Sequence, residues 1–363
     1  MRFIGVMSGT SCDGVDVVYA EIGAEIKVLA AGFYRYSDAI RAKILHVIAN
    51  QPITIAELSQ LDTELGMVYA DAINDFINKQ DIIHNEIKAI GLHGQTIFHQ
   101  PPTKSCRGYT MQIGSAAVCA QMTQIQTVAD FRSLDMAFGG QGAPLAPALH
   151  QHLFAADVGH TVVLNLGGIA NITSLSKGAV LGFDTGPASC LMDEWIKQNK
   201  GLEFDHSGQW AKTGKVHEGL LKSLLSEPFF SEPFPKSTGR ELFNLKWLEQ
   251  QLCRFNVKAA DVQRTLLQLT VDSIGLGLAQ LETPADVIVV CGGGVHNTFM
   301  MEHLRQNNAS QVKSSQAFGI NPDYVEALLM AWMAHQFVLG EKLDLRSITG
   351  VSEVLLYGRS YAV

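Results

Sequence analysis

Arg2-Phe3-Ile4-Gly5-Val6-Met7-Ser8-Gly9-Thr10-Ser11-Cys12-Asp13-Gly14-Val15-Asp16-Val17-Val18-Tyr19-Ala20 reads as an apolar strand, a turn of small residues holding one acid, and a second apolar strand. Ser8, Thr10 and Ser11 bring three hydroxyls and a run of backbone N–H groups to one point, while Gly9 and Gly14 permit close approach and positive φ. Amide dipoles converging on a concave turn favour phosphate oxygens. An inert hairpin turn would need only one Gly or Asn. Taken alone, the stretch is either such a turn or an anion cradle.

The same pattern returns further along. Val162 to Leu166 predicts a strand, Gly167-Gly168 a tight turn, Ile169 to Leu175 a strand and Gly178 to Phe183 a third. This is the order of residues 3 to 36, displaced by about 160 positions. Two matching units, each with a glycine loop, predict two lobes facing a shared cleft, because a triphosphate clamped there needs one loop from each. The third strand of the second copy is expected to end in Asp184-Thr185-Gly186-Pro187-Ala188-Ser189, ahead of a helix over Cys190 to Gln198. Asp184 either caps that helix or, with Ser189 better placed to cap, is left for general-base chemistry.

Within the first copy, Asp16 to Ile22 and Lys27 to Tyr36 predict strands; beyond it, Asp38 caps a helix to about Asn50, and Thr54 with Glu57 opens a longer one. Ile87 to Leu92 predicts a strand that delivers His93-Gly94-Gln95-Thr96 at its carboxyl end, where open α/β sheets place ligands; a polar turn is the other reading. Asp130 and Arg132 flank a strand tip and form either a surface ion pair or a bidentate grip on a polar substrate. Asp135 to Pro147, rich in Gly and Pro, is expected to lead into a new unit, and His150 and His152 beyond it read as surface residues. Residues 201 to 240 are expected to be irregular, with Lys236 to Glu241 either lining a cleft rim or simply solvated. A helix over Ala260 to Leu281 precedes a strand, Asp286 to Val290, that empties into Cys291-Gly292-Gly293-Gly294-Val295-His296-Asn297, a turn suited to a flat ring or a phosphate. Asn321-Pro322-Asp323 starts a helix to about Gly340, with Glu326 in its first turn, where dipole stabilisation is the plain reading.

Composition bounds the function. A chain of 363 residues exceeds what one core usually organises. Apolar residues make up 47% and charged residues 17%, as in a well-buried globular protein, and a net charge of -8 argues against a nucleic-acid binder. Small ligands are the expected partners. The six cysteines are scattered with no CxxC pair and no secretory leader, which predicts reduced thiols in a cytoplasm. The longest apolar helix candidate, Ala327 to Leu339, falls short of the ~20 residues that span a bilayer, so no membrane is expected.

With these motifs in view the chain resembles the superfamily of actin, hexokinase-type sugar kinases and heat-shock chaperone ATPases. The phosphate motifs match residues 4 to 20 and 162 to 175, and the adenosine motif matches 286 to 297. More narrowly, Met7 to Asp16, Gly91 to Thr96, Gly139-Gly140-Gln141-Gly142-Ala143-Pro144-Leu145, Asn165-Leu166-Gly167-Gly168-Ile169-Ala170-Asn171 and Phe183 to Pro187 resemble the anhydro-N-acetylmuramic acid kinases. The resemblance implies an α/β fold of two duplicated actin-like (ribonuclease H-like) lobes, each a mixed five-stranded sheet with flanking helices, around a central nucleotide cleft. It sets the first lobe at residues 1–133 with 345–363 and the second, carrying the adenosine motif, at 134–344.

The implied enzyme uses ATP, Mg²⁺ and water to turn 1,6-anhydro-N-acetylmuramic acid into N-acetylmuramic acid 6-phosphate in peptidoglycan recycling, as a homodimer. Carried over, Asp184 activates the water. Gly9, Thr10, Ser11, Cys12, Asp13, Gly14, Val15, Asp16, Asn165, Gly167, Gly168, Gly292, Gly293, Gly294 and Asn297 bind ATP. His93, Gln95, Thr96, Asp130, Arg132, Thr185 and Glu326 contact the sugar, with Arg132 on its carboxylate. The chain departs from its relatives at Ser8 and Asn165, where the superfamily often has Asp, so Mg²⁺ is left to phosphates and waters with its ligands unassigned. It also departs at Ala188-Ser189, where Gly-Asn is common. An ATP-hydrolysing conformational switch of the same fold, or a kinase for another sugar, are the alternative readings.

Overall fold

The computed structural model describes residues 1–9, 11–103, 106–154, 159–176, 179–234 and 236–363. They form two compact units, Met1–Leu149 with Tyr324–Val363, and His150–Asp323. In chain order the strands are β1 (Arg2–Ser8), β2 (Gly14–Ile22), β3 (Ile26–Arg35), β4 (Ile87–Gln100), β5 (Tyr109–Ile113) and β6 (Thr127–Ala129), then β7 (Thr161–Leu166), β8 (Ile169–Ser176), β9 (Ala179–Pro187), β10 (Val287–Cys291), β11 (Gln311–Ser314) and finally β12 (Arg359–Tyr361).

The duplication expected from the two glycine turns is present in the sheet topology. The second unit's sheet runs β11-β10-β7-β8-β9, and the stretch β6-β4-β1-β2-β3 of the first sheet repeats it strand for strand. Directions agree as well: β1, β2 and β3 alternate in direction while β4 and β6 run parallel to β1. β7, β8 and β9 alternate in the same way, with β10 and β11 parallel to β7. The first sheet nevertheless has seven strands, where five were expected. The reason is that β4 continues past the end of β1 to pair antiparallel with β5, and β12 returns to cover the outer edge of β6.

Two helices show why these residues take these shapes. Ile55–Lys79 opens with the expected capping box, Thr54 accepting from Glu57 N and Glu57 from Thr54 N, and buries Leu61, Leu65, Tyr69, Ile73 and Phe76 on one face. Asp38–Ile48 is capped by Ser37, whose hydroxyl accepts from Ile40 N at 3.3 Å; Asp38 is the first helical residue, where its charge suits the helix dipole.

The helix Val325–Leu339 is apolar on nearly every face and lies directly on the first sheet. Gly5 and Gly91 are paired across β1 and β4. A Cβ on Gly5 would come within 1.9 Å of the Ala327 carbonyl oxygen, and one on Gly91 within 1.9 Å of that of Met330. Only glycine permits this approach. The helix therefore belongs to the first unit, and the division falls at 323/324, where 344/345 was expected. The other boundary moves from 133/134 to 149/150 for a related reason. Buried Asp135 accepts from Thr349 Oγ1 at 2.7 Å and Tyr357 OH at 2.8 Å, which ties residues 135–145 to the C-terminal segment.

In the second unit, Phe229, Phe230, Phe243 and Trp247 pack into one aromatic core, and residues expected to be irregular include the helix Glu218–Leu225. No helix among the described residues is long and apolar enough to cross a membrane.

Candidate active site

The first turn is closed by Cys12 N donating to Gly9 O at 3.3 Å. Its positive φ, 52°, lies at Cys12 and at neither Gly9 nor Gly14, where it was expected. Gly14 is needed for approach, since a Cβ there would sit 2.3 Å from the Tyr34 carbonyl oxygen. Ser8, at the end of β1, stands in a buried triangle of hydroxyls: its Oγ is 2.8 Å from Tyr36 OH and 3.1 Å from Tyr69 OH, with 3.2 Å between the two phenols. Burial pushes Tyr36 up to about 12 and raises Tyr69 well above its usual value, so both remain neutral. The triangle pins the strand end that carries the turn. Ser11 Oγ donates to Asp13, which is exposed. Val15 lies in the core and Asp16 is half-buried in β2; Thr10 lies outside the described residues.

His93, Gly94, Gln95 and Thr96 were expected at a strand tip. They lie inside β4, at the bulge where it leaves β1 and takes up β5. Gly94 there has φ 77°. His93 is buried and desolvated, and the Arg132 charge adds to that, lowering it to about 3. Arg132 Nε donates to His93 Nε2 at 2.9 Å, so the imidazole proton is on Nδ1, which is 2.8 Å from Gly94 O. Arg132 Nη1 donates to Gly142 O at 2.7 Å, and the charges of Glu326 and Asp135 lie close to the guanidinium. Asp130 is exposed and accepts from the N–H of Ser133, the first residue of a short helix, at 3.2 Å, and among the described residues it forms no ion pair with Arg132. Gln95 is fully buried and donates to Gly9 O at 3.2 Å, which couples β4 to the first turn; its Oε1 has no partner among the described residues. Such an orphaned acceptor is what a ligand donor would satisfy. Thr96 Oγ1 accepts from Gln112 Nε2 at 3.2 Å.

In the second unit the Gly167-Gly168 turn is closed from behind. Gly168 O accepts from Ala188 N and Cys190 N at 2.9 and 3.1 Å, and Gly167 O from Ser189 N at 3.1 Å. Asp184 sits inside β9, which runs on to Pro187 and so does not end at Asp184 as expected. Its carboxylate accepts from Thr238 N at 2.9 Å. Burial raises Asp184 to about 6, the Thr238 N–H pulls it down, and the Glu241 charge pushes it up. A carboxyl poised there is well matched to general-base work near neutral pH. Ser189 holds the N-cap position of Cys190–Lys200 without a side-chain cap bond. Thr185, an expected sugar contact, is buried with its hydroxyl donating to Ala170 O at 3.2 Å and is not presented to a ligand.

The glycine turn read as an adenosine motif follows β10. Gly292 has φ 83° and donates to Pro322 O at 2.9 Å; a Cβ on it would lie 2.5 Å from Asn165 Oδ1. A Cβ on Gly294 would lie 2.5 Å from Leu166 Cβ, whereas one on Gly293 would meet nothing within 4 Å. Asn297 is the N-cap of Thr298–Gln306, accepting from Met300 N at 3.0 Å.

The model of the anhydro-N-acetylmuramic acid kinase family matches residues 1–363. The chain belongs to the anhydro-N-acetylmuramic acid kinase family. An anhydro-N-acetylmuramic acid kinase of Pasteurella multocida is 46% identical over 366 residues, covering 99% of this chain and 97% of the relative. Proteins of that name from Pseudomonas fluorescens and Haemophilus influenzae are 43% and 41% identical, covering 99% and 98% of this chain and 99% and 96% of their own lengths.

Within that family frame, sequence reasoning missed the residues that act through their neighbours. Thr238 was read only as part of a polar rim, and its N–H holds Asp184. His150 was read as a surface residue; it is 1% exposed and bonded to Thr173 Oγ1 at 3.0 Å, with burial lowering it to about 3, while His152 is exposed. Tyr36 and Tyr69 carried no local signal, since their partners are distant in sequence.

Proposed function

We propose that the protein opens 1,6-anhydro-N-acetylmuramic acid with water and phosphorylates the released 6-oxygen from ATP, giving N-acetylmuramic acid 6-phosphate and ADP, in the recycling of cell-wall sugar. The observation that carries this is the Asp184 carboxyl, raised to about 6 and held by Thr238 N–H, in a chain of this family. Ionised Asp184 takes a proton from water as the water oxygen bonds to the anomeric carbon. The bond from that carbon to the bridging 6-oxygen breaks, and its electron pair passes to the 6-oxygen, which attacks the γ-phosphorus while the bond to the β-phosphate oxygen of ADP breaks. Positioning and charge stabilisation supply most of such catalysis.

The amides of Gly9 and Ser11 to Gly14, and of Gly167 and Gly168, are assigned to phosphate oxygens, and Gly292 to Gly294 to the nucleoside end. Arg132, with its Nε and Nη1 held by His93 and Gly142, offers its remaining N–H groups to the lactyl carboxylate. Mg²⁺ would enter with the nucleotide and neutralise phosphate charge. Among the described residues no group of three or more His, Cys, Asp or Glu is placed to hold a metal ion. The same reading puts the enzyme in the cytoplasm as a homodimer.

The test is ADP release with and without the anhydro-sugar, followed by product mass. Sugar-dependent release with one added water and one phosphoryl group supports the reading. Sugar-independent ATPase activity would replace it with a conformational switch.

A further inference from the structure

The segment Lys236–Glu241, whose Thr238 N–H holds Asp184, also carries Arg240. Arg240 Nη2 and Nε stand 3.6 and 3.7 Å from the point where a Cβ on Gly168 would lie, so the guanidinium is seated over the second glycine turn. The carbonyl oxygens of that turn are engaged by the amides of Ala188, Ser189 and Cys190. They give Arg240 no reason to be there. Of its acidic neighbours, Asp193 feels the Arg240 charge but is bonded to the Ser189 side chain, and Glu194 accepts from Leu245 N at 2.8 Å. Arg240 is exposed and forms no ion pair among the described residues. The backbone of the segment is anchored at both ends of the residue, by Thr238 N on Asp184 and by Arg240 O accepting from Asn244 Nδ2 at 3.0 Å. A planar cation, held beside a glycine turn with its donors unspent, is the arrangement that recognises a phosphoryl group.

We propose that Arg240 is a catalytic residue that binds the γ-phosphoryl oxygens. It neutralises their charge while the bond between the γ-phosphorus and the β-phosphate oxygen breaks, its electron pair leaving on ADP, and the bond to the sugar 6-oxygen forms. This deepens the function proposed above and rests on it. One short segment would then serve both halves of the reaction, Thr238 setting the base and Arg240 receiving the charge that moves.

The experiment compares Arg240→Ala, Arg240→Lys and Asp184→Asn with the native chain. Binding of ADP and of a non-hydrolysable ATP analogue is measured by calorimetry and turnover by coupled assay. Arg240→Ala is expected to lose about 10²–10³ in kcat, to bind the ATP analogue about tenfold more weakly, and to bind ADP as the native chain does. Arg240→Lys keeps the charge and recovers part of the loss. The proposal is overturned by an Arg240→Ala enzyme with kcat within about twofold of native, or by equal loss of ADP and ATP-analogue affinity, which would mark a structural role. Should Asp184→Asn still phosphorylate the sugar, the base assignment fails while the Arg240 result stands on its own.

Discussion

On the proposed reading, Asp184 is the residue at which local structure becomes chemistry. Asp184→Asn should abolish turnover and keep nucleotide binding, as judged by calorimetry with ADP, because the amide oxygen can still accept from Thr238 N but cannot take a proton. The sign of the pH dependence follows from the raised carboxyl. Below about 6 Asp184 is protonated and inactive, so kcat/KM should climb as pH rises through that value and level off above it. Asp193 is also raised to about 6, mainly by burial, so Asp193→Asn is the control. The inflection should survive in that variant, and its disappearance would move the base to Asp193. At this scale the sequence was legible wherever a residue's role is local. Asp184 stood out by its neighbours in the chain, whereas Thr238, 54 positions away, could be found only once the segment was folded against β9.

At the scale of elements, the glycine turns and the capping box were legible because each is written within a few consecutive residues. Thr54 and Glu57 specify their cap by spacing alone. Strand lengths were not: β4 and β9 both run past their expected ends, since what prolongs them is a partner strand, β5 for one and β8 for the other. His93 and its neighbours therefore lie at a bulge within a strand and not at a tip. The close seating of Val325–Leu339 makes a sharp prediction. Gly5→Ala or Gly91→Ala places a methyl group where a helix carbonyl stands and should lower unfolding stability by about 1–3 kcal/mol, or more if the helix cannot shift. Urea denaturation followed by circular dichroism checks it, and a change under about 0.5 kcal/mol would mean that the helix is displaced at no cost.

For the whole molecule, the duplication was legible because two glycine turns recur at matching places in two strand patterns, and the sheets do repeat over five strands each. The place of residues 324–344 beside 345–363 in the first unit was not, because it depends on Gly5 and Gly91, which gain their meaning only when paired in space. Each unit also buries a neutral histidine, His93 in the first and His150 in the second, both lowered to about 3. The unfolded chain takes up protons near pH 6.5 and the folded one does not. This contribution is therefore whole above that pH and is lost as pH falls toward the folded value, by about 1.4 kcal/mol per pH unit for each histidine. Asp184 and Asp193, raised to about 6, act in the opposite sense below that value and offset part of the loss, so stability in urea should fall between pH 7 and pH 5 by less than the histidines alone would give, and His150→Gln should make the fall smaller still.

The central claim, that water opens the sugar while ATP phosphorylates it, is tested most directly by one turnover in ¹⁸O-water with rapid quenching. The account predicts ¹⁸O on the anomeric carbon of the 6-phosphorylated product and none in its phosphate, read by mass spectrometry and ³¹P NMR. Label appearing in free phosphate, with the sugar unchanged, would contradict it.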